Sequence, residues 1–263
     1  MTRRNSGTTP MDAANNIILS ATGLTKEFRG FVAVKDVDLS VREGSIHALI
    51  GPNGAGKTTV FNLLTKFLVP TRGRILYRGQ DITATRPAEI ARLGLVRSFQ
   101  ISAVFPHLSV LDNVRVALQR PHALATQFWR SSRALSALDD RALALIEDVN
   151  LSAYVELPAV ELPYGRKRAL EIATTLALDP DMLLLDEPMA GMGHEDIGRI
   201  SDLIKRIARD RTVLMVEHNL NVVADLCDWV TVLARGEILS EGPYEAVSAD
   251  PRVREAYMGS EHE

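Results

Sequence analysis

The sequence predicts an α/β fold in which helices cover a mostly parallel sheet. Three observations favour it: short apolar runs alternate with helical stretches, a glycine-rich loop separates one run from a helix, and another run ends in two carboxylates. Strands that alternate with helices are typical of parallel sheets covered on both faces. The chain has 263 residues, of which 46% are hydrophobic, so it can bury a substantial core.

The elements follow one another along the chain. Residues 1–16 are rich in Thr, Asn, Ser and Gly, which is typical of a flexible tail, and a single domain is predicted over residues 17–263. Strands are predicted around Val37, Leu39 and Val41, and at residues 46–50, 74–77, 182–185, 212–216 and 230–233. Helices are predicted from the spacing of Val60, Phe61, Leu64, Phe67 and Leu68, over residues 169–178, and from Ile197, Ile200, Ile204 and Ile207.

A helical stretch interrupts the alternation of strands and helices. Between residues 101 and 163 strand signals are few, and helical spacing is shown by Leu111, Val114 and Leu118 and by Leu138, Leu143, Leu145 and Val149. We therefore predict a helical subdomain at about 101–164, inserted into a core of about 17–100 and 165–240. A C-terminal helical tail is predicted at about 243–263.

Composition narrows the possible functions. The net charge of −3 provides no general basic field, so no nucleic-acid partner is predicted. Cys227 is the only cysteine, which rules out a disulfide within the chain and is typical of a reducing compartment. No apolar run approaches the roughly 20 residues of a membrane-spanning helix. A role at a membrane would therefore require docking to another chain that crosses it.

The glycine-rich loop matches the pattern of a phosphate loop. It consists of Gly51, Pro52, Asn53, Gly54, Ala55, Gly56, Lys57, Thr58 and Thr59, between a predicted strand and a predicted helix. The glycines allow successive backbone N–H groups to face one anion, and the helix N-terminus adds partial positive charge. Lys57 can reach the β- and γ-phosphates, and Thr58 can offer its hydroxyl to Mg²⁺. This loop predicts binding of a nucleoside triphosphate and leaves a kinase, a GTPase and a transport motor open.

Polar residues that suit nucleotide hydrolysis follow three other predicted strands. Asp186 and Glu187 end an apolar run, and adjacent residues on an extended chain point to opposite sides. We therefore assign Asp186 to Mg²⁺ and Glu187 to the general base. His218 follows the strand at 212–216, where it could bond the γ-phosphate and hold the attacking water, and Gln100 follows a short run ending at Phe99.

Together these pieces resemble the ATPases of ABC transporters. The motifs that carry the resemblance are the phosphate loop, Gln100, the stretch 162–166 (Leu-Pro-Tyr-Gly-Arg), the acidic pair and His218, in that order. The resemblance implies a core with an N-terminal antiparallel β part, binding of ATP and Mg²⁺, and stacking of Phe28 on adenine. It further implies that Gln100 joins the Mg²⁺ shell and that His218 is the switch histidine.

The resemblance also implies a signature loop that acts on ATP across a dimer. Its residues are Pro163, Tyr164, Gly165 and Arg166. Gly165 and Arg166 open a helix, whose N-terminus can offer N–H groups to the γ-phosphate of the partner's ATP. Lys167 and Arg168 are interpreted as a basic, solvated helix face. Many family members have Ser-Gly-Gly at 163–165, and Gly193 replaces an aspartate that contacts the other subunit, so equal hydrolysis at the two sites is in question.

These departures from the usual family motifs make the chain similar to the ATPases of branched-chain amino-acid importers. Residues 190–192 (Ala-Gly-Met) and the ending at 250–259 share this resemblance. It implies integral membrane permease subunits, a second ATPase subunit that is identical or not, and a periplasmic substrate-binding protein. It also implies peripheral attachment to the cytoplasmic face of the inner membrane. Related sets carry urea, amides or aromatic acids.

Two other classes remain as alternatives. One is a soluble ABC protein that acts on nucleic acid or ribosomes, which often has two cassettes or a coiled-coil insertion. The other is a small-molecule kinase with a phosphate loop, which would leave the stretch 162–166 unexplained. We favour the transport motor, with residues 101–108 as the surface that receives a helix of a membrane subunit.

Overall fold

The computed structural model describes residues 16–98, 104–119 and 138–258. Gln100, most of the predicted tail, residues 101–103 of the predicted coupling surface and the last five residues lie outside the described part. The chain divides into two compact units. Unit 1 comprises the residues up to Thr85 and those from Cys227 onward, and unit 2 runs from Arg86 to Leu226.

The elements are numbered in chain order. The strands are β1 (Ile17–Phe28), β2 (Phe31–Arg42), β3 (Ile46–Ile50), β4 (Arg72–Tyr77), β5 (Gln80–Asp81), β6 (Leu95–Ser98), β7 (Met182–Asp186), β8 (Thr212–Val216), β9 (Trp229–Ala234) and β10 (Glu237–Gly242). The helices are α1 (Lys57–Leu64), α2 (Pro87–Arg92), α3 (Val110–Gln119), α4 (Asp139–Asp148), α5 (Tyr164–Leu176), α6 (His194–Ile207), α7 (Leu220–Leu226), α8 (Tyr244–Ala249) and α9 (Pro251–Met258). Short 3₁₀ turns occur at Ser152–Tyr154 and Ala159–Glu161.

Unit 1 contains an antiparallel sheet in the order β2-β1-β4-β5. Val37, Leu39 and Val41 of β2 are buried, and the residues between them are exposed, which confirms the predicted half-buried strand. Leu39 pairs with Ala21 of β1, and Ala21 pairs with Ile75 of β4, so the long strand β1 joins both neighbours. The antiparallel N-terminal part implied by the resemblance is therefore present.

Of the other strands of unit 1, β3 leads directly into the glycine-rich loop. β3 pairs with β9 in parallel and β9 pairs with β10 in antiparallel fashion. All five residues of β3 are buried, as the continuous apolar run predicts. His47 in this strand hydrogen-bonds Thr231 of β9 at 2.8 Å, and burial lowers the pKa of its imidazole to about 3. The imidazole is therefore a neutral, structural part of the core.

The helix after the loop is shorter than predicted. It ends at Leu64, so Phe67 and Leu68 lie beyond it, and Phe67 is 51% exposed. Lys66 has a φ of 63°, and its N–H bonds the carbonyl of Leu63, so the chain leaves the helix here. Apolar spacing alone does not reveal this left-handed residue.

The strands of unit 2 are parallel. β7 pairs with β6 on one side and with β8 on the other, and every residue of β7 and β8 is buried. The predicted strands at 182–185 and 212–216 are thus confirmed. In α6, Ile200, Ile204 and Ile207 are buried, whereas Ile197 is only partly covered.

Between β6 and α5, the described residues lie mainly in helices and turns. Leu111, Val114 and Leu118 are buried on α3, as their spacing predicts, but Leu143 on α4 is 43% exposed. Arg115 joins the two helices: its Nε donates to Asp139 at 2.7 Å and its Nη1 to Asp112 at 2.9 Å. These two carboxylates raise the pKa of the guanidinium further above its ordinary value.

The helix predicted from residue 169 begins earlier, at Tyr164, because Pro163 starts it with its fixed φ and has no N–H to satisfy. Within the described ranges, no helix combines the length and the apolar character needed to cross a membrane.

Candidate functional site

The glycine-rich loop of unit 1 is shaped by three glycines with positive φ. Gly51, Gly54 and Gly56 have φ values of 148°, 75° and 102°. A Cβ on Gly51 would lie 2.1 Å from the carbonyl oxygen of Leu233, and a Cβ on Gly56 would lie 2.8 Å from that of Ala33. At these two positions, therefore, both backbone conformation and space require glycine.

Lys57 spans the base of this loop. Its side chain is buried, and its Nζ donates to the carbonyl oxygens of Gly51 at 2.7 Å and Pro52 at 2.9 Å. No side chain caps the N-terminus of α1, whereas Thr58 in its first turn is exposed. An uncapped helix start with a lysine and an exposed hydroxyl is suited to a phosphate group.

Two further side chains of unit 1 are Phe28, which was predicted to contact adenine, and Tyr257. Phe28 ends β1 and is 41% exposed, with the Nζ of Lys26 5.1 Å from the centre of its ring. The hydroxyl of Tyr257 on α9 is buried near the backbone of Gly51, and burial raises its pKa to about 12. The exposed ring of Phe28 is available for stacking, as predicted for an adenine contact.

In unit 2, two arginines hold Asp186 at the end of β7. Its carboxylate accepts a bond from Arg97 Nη2 at 2.5 Å, and its main-chain oxygen accepts one from Arg168 Nη2 at 3.1 Å. Arg168 also donates to Glu171 at 2.7 Å, and both side chains are buried. The interpretation of Arg168 as part of a solvated face is therefore wrong. Burial raises the pKa of Glu171, and the charge of Arg168 opposes this shift.

Glu187 and His218 meet at the ends of neighbouring strands. Glu187 Oε1 lies 2.7 Å from His218 Nε2, and the N–H of Glu187 donates to Val216 at the end of β8. Glu187 has a φ of 46°, so the extended chain assumed in the sequence argument ends at Asp186. The left-handed residue turns the second carboxylate towards His218, while the first stays buried against Arg97.

The buried carboxylate of Glu217 accepts bonds from backbone N–H groups close to both members of this pair. Its Oε1 accepts a bond from the N–H of Met189 at 3.0 Å, and its Oε2 accepts bonds from the N–H groups of His218 at 3.0 Å and Asn219 at 3.3 Å. Arg97, Arg168 and Glu217 were missed by the sequence argument. The spacing of Arg168 and Glu171 by three positions was a usable signal, because such residues face each other on a helix.

The predicted signature loop opens α5. Tyr164 is 59% exposed, and Gly165 is buried beneath Asp196 of α6. Arg166 donates to the carbonyl of Asn150 at 2.8 Å, and its guanidinium lies 5.3 Å from the ring centre of Tyr154. The loop thus presents Pro163 and Tyr164 to solvent, while Arg166 is turned towards its own subunit.

The predicted site residues are divided between the two units. Unit 1 carries Phe28 and the glycine-rich loop. Unit 2 brings Glu187 and His218 into contact, next to Asp186, and carries residues 163–166. Gln100 lies outside the described residues.

The sequence is similar to known proteins over most of the chain. The family described as ABC transporter matches residues 34–190, and the family described as Branched-chain amino acid ATP-binding cassette transporter matches residues 237–263. The high-affinity branched-chain amino acid transport ATP-binding protein LivG of Escherichia coli K12 is 38% identical over 251 residues, which is 92% of this chain and 98% of that protein. BraF of Pseudomonas aeruginosa, with the same description, is 38% identical over 252 residues and has the same two coverages.

Solved structures give the same result. The chain resembles the ADP conformation of MJ1267, an ATP-binding cassette of an ABC transporter, with a TM-score of 0.81, 30% identity, and coverage of 92% of this chain and 99% of that one. A nucleotide-free ATP-binding cassette from an ABC transporter has a TM-score of 0.78 at 30% identity, with coverage of 92% and 98%.

Proposed function

This chain belongs to the ABC transporter family of ATP-binding proteins, and from that premise we propose that it is the ATP-hydrolysing motor subunit of an importer for branched-chain or other hydrophobic amino acids. The observation that carries the hydrolytic part is the 2.7 Å contact between Glu187 and His218. The relatives LivG and BraF, which are similar over nearly their whole length, support the amino-acid class.

ATP binding is assigned to the phosphate loop and Phe28. Lys57 would exchange its bonds to Gly51 and Pro52 for bonds to the β- and γ-phosphates, and the N–H groups at the start of α1 would surround the same oxygens. The ring of Phe28 would stack on adenine. Of the loop residues, Asn53, Gly54 and Thr58 are exposed and so accessible to a ligand.

The residues assigned to Mg²⁺ are Thr58, Gln100 and Asp186. A hydroxyl, an amide oxygen and a carboxylate are the hard oxygen ligands that Mg²⁺ prefers, usually together with phosphate oxygens. When bound, the ion supplies charge neutralisation and polarises the phosphate oxygens. Asp186 fits this role because its buried carboxylate already balances a cationic group, the guanidinium of Arg97.

Glu187 is the proposed general base and His218 its orienting partner. A water molecule beside Glu187 would lose its proton to the carboxylate as its oxygen attacks the γ-phosphorus, and the bond from that phosphorus to the bridging oxygen would break, with ADP as the leaving group. His218 would hold that carboxylate and the γ-phosphate in place. The signature residues Pro163, Tyr164, Gly165 and Arg166 would act on ATP bound by a second ATPase subunit. Since Tyr164 and Pro163 are the exposed members, they are the first contacts expected across the dimer.

The remaining partners are integral membrane permease subunits and, through them, a periplasmic substrate-binding protein. Phe105, Leu108 and Val160 expose apolar surface in unit 2, at 52%, 36% and 48%, and the N–H of Val160 bonds the carbonyl of Pro106. We assign this apolar patch, defined by these three exposed residues, to the permease contact. Attachment at the cytoplasmic face of the membrane follows from that contact.

Substitution of Glu187 by Gln tests the hydrolytic assignment. The amide keeps the shape and cannot take the proton, so phosphate release should fall about 10²–10⁴-fold. ATP binding should persist, and an ATP-bound dimer should accumulate on size-exclusion chromatography. Glu195→Gln on the exposed surface of α6 is the matched control. Unchanged turnover in Glu187→Gln would remove this residue as the base.

The cargo requires a separate experiment with the complete transporter. Membrane vesicles containing the co-purified permease and binding protein should accumulate labelled leucine in an ATP-dependent manner. Accumulation of urea, an amide or an aromatic acid instead of leucine would replace the proposed cargo class and leave the motor assignment intact.

A further inference from the structure

Glu217 is a buried acidic residue that the catalytic scheme does not use. It follows β8 directly and is 3% exposed. Its two carboxylate oxygens accept three backbone bonds, from the N–H groups of Met189, His218 and Asn219. Asn219 in turn accepts bonds from the N–H groups of Asn221 and Val222, in the first turn of α7.

These bonds connect two separate segments of the chain. Met189 follows Glu187 by two positions, in a turn closed by the bond from the N–H of Ala190 to the carbonyl of Glu187 at 3.1 Å. His218 adjoins Glu217 itself. One carboxylate therefore fixes the backbones of both segments whose side chains meet in the Glu187–His218 contact.

Burying a carboxylate costs more free energy than burying an apolar side chain of similar size. Removing the charge from water is unfavourable unless partners replace the lost hydration, and an apolar side chain of similar volume often stabilises a fold equally well. Here the partners are N–H groups of loop backbones at the ends of β7 and β8, which would otherwise lack a strand partner. The chemistry of the residue thus corresponds to fixing two loops relative to each other.

We propose that Glu217 is a positioning residue of the hydrolytic site, which holds the general base and the switch histidine at contact distance. The proposal rests on the roles given above to Glu187 and His218. Glu217 acts on hydrolysis and not on nucleotide binding, because neither Met189 nor Asn219 belongs to the phosphate loop. Substitution should therefore lower kcat and leave the affinity for ATP nearly unchanged.

Glu217→Gln in the full-length chain is the principal test. One carboxylate oxygen becomes an NH₂ group that faces a backbone N–H, so a bond is replaced by an opposed pair of donors. We expect kcat to fall about 10–100-fold, with KM for ATP and the Kd for ADP within about twofold of the unsubstituted protein. The matched control is Asp38→Asn, a carboxylate in the antiparallel sheet that accepts the N–H of Gly23 at 2.7 Å.

A double-mutant cycle separates positioning from a general loss of structure. If Glu217 acts through Glu187, adding Glu217→Gln to Glu187→Gln should lower the residual turnover by less than about twofold. An equal further loss in both backgrounds would overturn the proposal, and so would wild-type kcat in Glu217→Gln. If Glu187→Gln itself leaves turnover unchanged, the base assignment fails first.

A second variant covers the case in which Glu217→Gln does not fold. Glu217→Asp keeps the charge and shortens the reach, so it should fold, bind ATP and hydrolyse it more slowly. Full turnover in folded Glu217→Asp, together with normal ATP affinity, would also overturn the proposal.

Discussion

Gly165 shows how one missing methyl group shapes the signature loop. A Cβ at this position would lie 2.4 Å from Cγ of Asp196, whose carboxylate covers the start of α5. The φ of Gly165 is not in the left-handed region, so the constraint on this position comes from the space that Asp196 leaves and not from backbone conformation. Helix propensity alone would favour alanine over glycine by about 1 kcal/mol. The sign of the effect of alanine is therefore set by Asp196.

Gly165→Ala is expected to lower the free energy of unfolding by about 1–3 kcal/mol, which is typical of overpacking. In an Asp196→Ala background the same change should be neutral or stabilising, because the obstructing carboxylate is gone. Urea denaturation of the four combinations measures both effects. Gly193→Ala is the control, since a Cβ there has no neighbour within 4 Å. Equal effects of Gly165→Ala in both backgrounds would contradict the steric explanation.

At the scale of elements, α5 and α6 each carry an ion pair along the helix, in different surroundings. Arg168 and Glu171 on α5 are 7% and 9% accessible, whereas Arg199 and Glu195 on α6 are 45% and 81% accessible. A buried pair that loses one member leaves an uncompensated charge, but exposed pairs contribute little. Arg168 also donates to the main-chain carbonyl of Asp186, so it connects α5 to the end of β7, next to the proposed base Glu187.

Arg168→Gln should therefore lower the free energy of unfolding by about 3 kcal/mol, the lower end for a broken buried pair, since Glu171 can take up a proton. The raised pKa of Glu171 already favours that protonation. Arg199→Gln should change stability by less than about 1 kcal/mol. Chemical denaturation at neutral pH compares the two, and similar losses would show that burial does not distinguish them.

The sequence predicted those elements whose apolar residues form unbroken runs. β3 and β8 begin and end at the predicted residues, because fully buried parallel strands have a continuous apolar pattern. The end of α1 was predicted wrongly because Lys66 adopts a left-handed conformation that spacing does not encode. Apolar spacing marked α5 only from residue 169 because its first turn is polar, whereas the resemblance of residues 163–166 to a signature loop placed the start of this helix near Gly165.

The candidate site was predictable where its residues form contiguous motifs. The glycine-rich loop and the pair Asp186 and Glu187 have recognisable local patterns. Arg97 and Glu217 have none, since each is a single charged residue that bonds a group far along the chain: Asp186 lies 89 positions from Arg97, and Met189 lies 28 positions from Glu217. Such contacts require the fold itself, and only the three-position spacing of Arg168 and Glu171 offered a local hint.

At the scale of the whole molecule, the described chain distributes its tasks between two units. Unit 1 carries the glycine-rich loop proposed to bind ATP, and unit 2 carries the residues proposed for hydrolysis, the proposed signature loop and the apolar patch assigned to the permease. The patch is held firmly: Asn113 is buried, its Oδ1 accepts the N–H of Phe105 at 2.6 Å, and its Nδ2 donates to the carbonyl oxygens of Phe105, Leu108 and Ser109.

Phe105→Ser should weaken association with the permease subunits by about tenfold or more, since the loss of one central aromatic contact costs more than about 1 kcal/mol. The bonds between the backbone of Phe105 and Asn113 do not depend on the side chain of Phe105. The loop around Phe105 should therefore keep its conformation, and the isolated ATPase should keep its turnover. Biolayer interferometry with the permease subunits in detergent measures this loss of affinity. Leu143→Ser on α4 is the control, and an equal loss there would exclude a specific role for the patch.

The left-handed backbone of Glu187 limits which side chains could ever serve at this position. Residues that are not branched at Cβ tolerate a φ of 46° at a cost of about 1–2 kcal/mol, whereas the β-branched residues valine, isoleucine and threonine are strongly disfavoured. Glutamate, glutamine, aspartate and asparagine can all occupy this position, so the backbone admits both the proposed base, glutamate, and its amide, glutamine. Glu187→Gln should thus remove the proposed base without adding backbone strain to this turn.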